Sequence, residues 1–121
     1  MTQIKKPKLY DLEDRTFEYA RSVRKFIKML PKTLSNIEDG KQLIRSSGSV
    51  GANYIEANEA LSKKDFSYRI KLCRKEAKES RYWIKLIDTG NLDTLEKFKH
   101  NLTQETTELM KIFGSIITKS Q

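Results

Sequence analysis

The chain has 121 residues, of which 37% are hydrophobic and 33% charged, and a formal charge of +8. That length is a prior for one domain with a core of its own, and the composition excludes a disordered tail. Two prolines and five glycines are too few breakers for many short strands, so long helices are favoured.

The opening MTQIKKPKLY has lysines but no apolar run behind them, which argues against a secretory leader. No stretch comes near the roughly 20 apolar residues of a membrane span, so no membrane partner is expected. A single cysteine, Cys73, cannot form an internal disulfide, and a cytoplasmic location is expected. The excess of 24 Lys+Arg over 16 Asp+Glu suits acidic partners, of which RNA or DNA is the commonest. A solvated helical surface accounts for the charge equally well.

Residues 1–10 read as a polar N-terminal arm, and residues 11–119 as one four-helix-bundle domain. Asp11 opens helix one (about 11–30) as an N-cap followed by acid in the first turn. Leu12, Thr16, Tyr19, Val23, Phe26/Ile27 and Leu30 share one face, and Pro31 ends it. Ser35 and Glu38 form a capping box for helix two (about 36–61). Its seam is Leu43, Ser47, Val50, Tyr54, Ala57 and Leu61. Gly48 and Gly51 lie inside this helix at about 1 kcal/mol each against alanine, which close packing would justify better than a break.

Ser62 and Asp65 cap helix three (about 64–88), whose heptad is Phe66, Ile70, Cys73, Ala77, Ser80, Ile84 and Ile87. Thr89-Gly90-Asn91 stops it, with Gly90 suited to a left-handed C′ position. Asp93 and Glu96 suggest a third capping box. Helix four (about 93–118) then carries Leu95, Phe98, Leu102, Leu109, Ile112, Phe113 and Ile116. The fold class expected is all-α, an antiparallel up-down four-helix bundle.

Two helices carry more than one apolar face. On helix two, Ile44, Gly48, Gly51 and Ile55 lie about 100° from the seam. On helix three a flank holds Tyr68, Leu72, Trp83 and Leu86, interrupted by Glu76 and Glu79. Ile44, Gly48, Gly51, Ile55 and Trp83 are therefore candidate subunit-contact residues, a wide monomer core being the plainer alternative. Beside these seams, Asn53, Glu56, Glu76 and Glu79 need partners, and Arg45, Arg69, Arg81 and nearby serines are available. They read first as a structural hydrogen-bond network and second as a ligand or metal site. Lys71, Arg74, Lys75, Lys78, Arg81 and Lys85 fall within about 120° of arc on helix three and are the candidate nucleic-acid contacts. Arg21, Arg24, Lys25 and Lys28 add charge on helix one.

Known catalytic patterns do not fit. A di-iron bundle needs Glu-x-x-His, but Glu76-Ala-Lys-Glu79 has no histidine, and the one histidine is His100. Five residues before His100 stands Leu95, which breaks the Arg-x-x-x-x-His pairing of some helical-bundle ribonucleases. Cys73 falls on the apolar seam as an inert thiol. No catalytic residue, cofactor or metal is expected, and no enzyme activity.

Residues 45–87 read RSSGSVGANYIEANEALSKKDFSYRIKLCRKEAKESRYWIKLI. This resembles the 23S ribosomal RNA intervening-sequence protein family, whose pattern falls on Ser47, Ser49, Val50, Asn53, Glu56, Asp65 and Phe66. It continues over Lys75, Glu76, Glu79, Tyr82, Trp83 and Ile84, and Phe26, Leu30 and Pro31 match upstream. The likeness spans roughly residues 10–115, helix four by pattern only. The resemblance implies a four-helix bundle assembled into a homo-oligomeric ring, a pentamer. It attaches no enzymatic activity. Some members are encoded inside intervening sequences of 23S rRNA genes, and a related retroelement accessory protein is linked to a reverse transcriptase and nucleic acid. The expectation is therefore a non-enzymatic, self-assembling module for RNA or DNA, or a scaffold for a nucleic-acid enzyme. The rivals are a purely structural interaction module and a small-ligand or metal-binding bundle.

Overall fold

A computed structural model describes residues 12–120, so the expected polar arm and the Asp11 cap lie outside the described residues. Within them the chain forms four helices and no strand: α1 (Leu12–Met29), α2 (Leu34–Asn58), α3 (Lys63–Leu86) and α4 (Asp93–Ser120). No helix is long and apolar enough to cross a membrane among the described residues.

The core is built from the seams read in the sequence. Leu12, Tyr19, Val23 and Phe26 of α1 meet Leu43, Val50 and Ala57 of α2. Ile70, Cys73, Ala77 and Ile84 of α3 and Leu95, Leu102, Leu109 and Phe113 of α4 complete it. Leu61 is the exception. α2 ends at Asn58, and Leu61 is 99% exposed in the link that follows. Heptad spacing continued past a helix end carries no direction, because the chain has stopped turning at 100° per residue.

One pair of buried polar groups is satisfied in place. Tyr19 Oη and Thr106 Oγ1 are 2.6 Å apart, and Thr106 also donates to the Leu102 carbonyl at 2.6 Å. Burial pushes the Tyr19 hydroxyl up to about 12. Thr106 fills a step of the α4 seam that a purely apolar reading leaves vacant.

The links correct three capping assignments. Ser62 does cap α3, its Oγ accepting from Asp65 N at 3.0 Å. At α2 the cap is Thr33 and not Ser35, with Thr33 Oγ1 accepting from Asn36 N at 3.1 Å. The earlier start places Asn36 where it binds both links. Its Nδ2 donates to Pro31 O at 3.0 Å and Asp88 O at 2.8 Å, and its Oδ1 accepts from Asp88 N at 2.9 Å. At α4, Glu96 does not close a box, because its carboxylate accepts from Thr89 Oγ1 instead. Gly90 takes φ +68°, but α3 is already capped at Ile87, so Gly90 and Asn91 (φ 60°) turn the link rather than terminate the helix. Lys99 closes the end of α3 by donating to Lys85 O at 3.2 Å and Ile87 O at 2.9 Å.

Candidate functional site

The two long sides of α3 differ in charge. On one side Lys71, Arg74, Lys75, Lys78 and Lys85 are exposed, while Arg81 is half-buried and donates from Nη1 to Thr107 Oγ1 of α4 at 3.3 Å. None of these six forms an ion pair among the described residues. Tyr82, exposed beside them, stands edge-on to the Trp83 ring with centroids 5.0 Å apart. The basic residues of α1 do not extend this stripe, because α1 packs against α2 and α4. Arg21 is paired with Glu18 at 3.3 Å and lies over the Phe17 ring.

On the side facing α2, the charges are tied. Arg45 reaches across with Nη1 3.4 Å from Glu76 Oε1 and Nη2 bonded to Glu79 Oε2, which also accepts from Trp83 Nε1 at 3.0 Å. The Trp83 hydrogen bond, then Arg45, holds the Glu79 carboxyl below its ordinary range. Glu76 Oε1 is buried with no hydrogen-bond donor among the described residues, so its pairing with Arg45 is electrostatic only. Below this cluster Ser46 Oγ and Ser80 Oγ are 2.7 Å apart in the buried seam.

The four polar residues singled out in the sequence thus separate into two clusters. Glu76 and Glu79 share Arg45. Asn53 belongs to a second group, accepting from Arg69 Nη1 at 3.2 Å and donating to Ser49 O at 2.9 Å. Glu56 is exposed and joins neither among the described residues. Arg81 turns to α4 instead. No group of three or more His, Cys, Asp or Glu side chains is placed to hold a metal among the described residues. Cys73 is buried, and that burial pushes its thiol up to about 12.

The candidate contact residues also divide. Gly48, Gly51 and Ile55 line a groove of about 360 Å³ between α1 and α2, walled on the α1 side by Phe17 and Arg24. Ile44 lines the adjoining hollow with Ile27, Ile37 and Gly40. Trp83 lies on the far side of α2, in the Arg45 cluster. A Cβ on Gly51 would stand 3.0 Å from Thr16 Oγ1 and 3.3 Å from Thr16 Cβ, so the close approach there is made by α1 of the same chain. A side chain added at Gly51 therefore meets α1 of its own chain. Sequence reasoning passed over Phe17, 59% exposed on the groove wall. Its signal was a large apolar residue standing off the α1 seam.

Among solved structures, a protein of unknown function from the S23 ribosomal protein family of Bacteroides thetaiotaomicron is similar to this chain. The two share 31% identity with a TM-score of 0.76, over 87% of this chain and 96% of that one. No curated protein sequence matches. The profile of the 23S rRNA-intervening sequence protein family matches residues 10–115, nearly the whole four-helix unit, and with the structural likeness this places the chain in that family: it is a member of the 23S rRNA-intervening sequence proteins.

Proposed function

We propose that the chain is a non-enzymatic, cytoplasmic, self-assembling helical module that binds nucleic acid along α3 and serves as a scaffold for a nucleic-acid enzyme. The observation that carries this reading is the row of six cations on α3, five of them exposed and none ion-paired among the described residues. A merely soluble surface tends to interleave its signs, whereas here Glu76 and Glu79 of the same helix lie on the side facing α2, paired with Arg45. The family's name, which ties it to a 23S rRNA sequence element, is in keeping with this reading.

The bundle is antiparallel and up-down in this reading. Its support is the order of the cross-helix contacts: Thr16 with Gly51, Ser46 with Ser80 and Asn53 with Arg69, and Tyr19 with Thr106. Copies assemble into a ring, a pentamer by resemblance, which would repeat the basic stripe and multiply its field.

Phosphate contacts position without reading sequence and release counterions. Affinity for RNA or DNA is therefore expected to fall ~10²–10³-fold between about 50 and 200 mM salt if five or six of the cations meet phosphates. Fluorescence anisotropy with labelled single- and double-stranded probes tests this. Absence of binding at low salt would leave the second reading, a protein-interaction module, which the exposed Phe17, Ile55, Tyr68 and Leu86 favour.

A further inference from the structure

One exposed aromatic stands inside the basic stripe of α3. Tyr82 is 58% exposed. At about 100° per residue it lies opposite the buried seam of Cys73, Ala77, Ser80 and Ile84, so it faces away from the bundle core. Lys71, Lys75 and Lys78 precede it by 11, 7 and 4 residues and Lys85 follows by 3. Those steps put all four lysines within about 60° of it on one helical face. All four are exposed, and none is ion-paired among the described residues. The nearest carboxylate of the helix, Glu79, is already tied to Arg45 and to Trp83. The Tyr82 ring is also held in place. Its centroid is 5.0 Å from that of Trp83 at an interplanar angle of 74°, and Trp83 Nε1 donates to Glu79 Oε2 at 3.0 Å. Glu79 is bonded in turn to Arg45 of α2. A surface ring anchored through this chain to a second helix loses little freedom when a flat partner lies on it.

We infer that Tyr82 is a base-stacking platform and that the nucleic acid taken by α3 is single-stranded. This rests on the proposed function and names the form of its ligand. Lysines alone meet only phosphate, and a duplex, with its phosphates outside, satisfies them as well as a single strand does. A ring among them changes the choice. In a duplex each base is already stacked between its neighbours and turns only an edge outward. A single strand can lay an unpaired base on Tyr82 while Lys78 and Lys85, on their flexible stems, meet the phosphates on either side of it. Every base has a π-face, so this contact tolerates any sequence. A protein partner at this ring would have to bring carboxylates to four lysines at once, whereas a polyanion carries charge at every step.

The test measures the anisotropy of labelled oligo-dT, oligo-rU and a mixed-sequence duplex with wild type, Tyr82→Ala and Tyr82→Phe. At about 200 mM salt, where phosphate contacts alone have weakened, wild type is expected to hold the single strands more tightly than the duplex. Tyr82→Ala should weaken single-strand binding by ~10-fold or more and leave duplex binding unchanged, and Tyr82→Phe, which keeps the ring, should match wild type. Irradiation of a single strand carrying 5-iodouracil should attach it to Tyr82 of the wild type. If wild type binds no probe even at about 50 mM salt, the proposed function falls and this inference with it. Several outcomes overturn the stacking while leaving the basic stripe intact. They are a duplex held as tightly as single strands, equal binding by wild type and Tyr82→Ala, equal losses on both forms, and a Tyr82→Phe as weak as Tyr82→Ala. A Tyr82→Ala variant changed only in its sedimentation does the same, giving the ring to a protein contact. Circular dichroism checks that the variants keep their helices. Were Tyr82→Ala to lose helix, the cross-link on wild type decides, and attachment elsewhere than Tyr82 overturns the inference.

Discussion

α3 carries two flanks of opposite character on the same 24 residues. Toward solvent, five lysines and arginines stand exposed without an ion pair among the described residues. Toward α2, Glu76 and Glu79 are drawn down onto Arg45 and Trp83. Charge that only kept the chain soluble would have no reason to separate by sign. The two flanks therefore differ in kind: on the α2 side charge is tied inside the bundle, and on the other the cations stand in solvent.

The largest effect that would break this division is on binding. The triple change Arg74→Glu, Lys78→Glu and Lys85→Glu should weaken RNA and DNA binding by ~10²-fold or more at low salt, because three phosphate contacts become repulsions. Thermal stability should move little, since Arg74, Lys78 and Lys85 are exposed and unpaired among the described residues. A large loss of melting temperature with binding retained would show that the roles of the two flanks had been exchanged.

On the α2 side the expected effects are on folding. Ser80→Val removes a hydroxyl that meets Ser46 Oγ at 2.7 Å and donates to Glu76 O at 2.9 Å. The stranded buried Ser46 hydroxyl and the extra bulk should together cost about 2 kcal/mol in urea unfolding, with nucleic-acid affinity unchanged. Arg45→Gln is milder. It strips the ion pairs from both glutamates, but Arg45 is half-exposed, so a loss of under about 1 kcal/mol is expected.

The smallest effect is a pH dependence. Glu79 has a lowered pKa, from the Trp83 hydrogen bond first and Arg45 second. Its contribution to stability is therefore present above the unfolded carboxylate value of about 4.3 and is lost as pH falls through the lower folded value. Trp83→Phe removes the first cause. The stability gap between wild type and this variant should narrow as pH falls below about 4, leaving only the packing difference. A gap of constant size across that range would show that Glu79 gains nothing from Trp83.

The seams of α1, α3 and α4 were legible because each is a run of apolar steps of three and four that a helix turns onto one side. Ser62 was legible as a cap because its partner, Asp65 N, is three residues away. Asn36 was not, since its bonds to Asp88 join positions 52 apart in the chain. Thr106 was passed over because its partner Tyr19 is 87 residues away, and a lone threonine in an apolar helix gives no sign of it. Glu96 was assigned to its own helix by spacing, while Thr89 claims it from the link before. Of the surface residues, the basic arc on α3 could be drawn from angles alone. That Gly51 receives Thr16 of its own chain, and that Arg45 binds Glu79 while Glu56 stands free of that cluster, could not.

The amino-acid order by itself determined four helices, their inward faces and the basic arc of α3, because these follow from helical periodicity within a single element. Only the tertiary structure decided which element covers each face. A helix that presents glycine or isoleucine says that something fits there; whether that something is α1 of the same chain, as at Gly51, or is absent among the described residues, as over Ile55, depends on where three other helices come to rest.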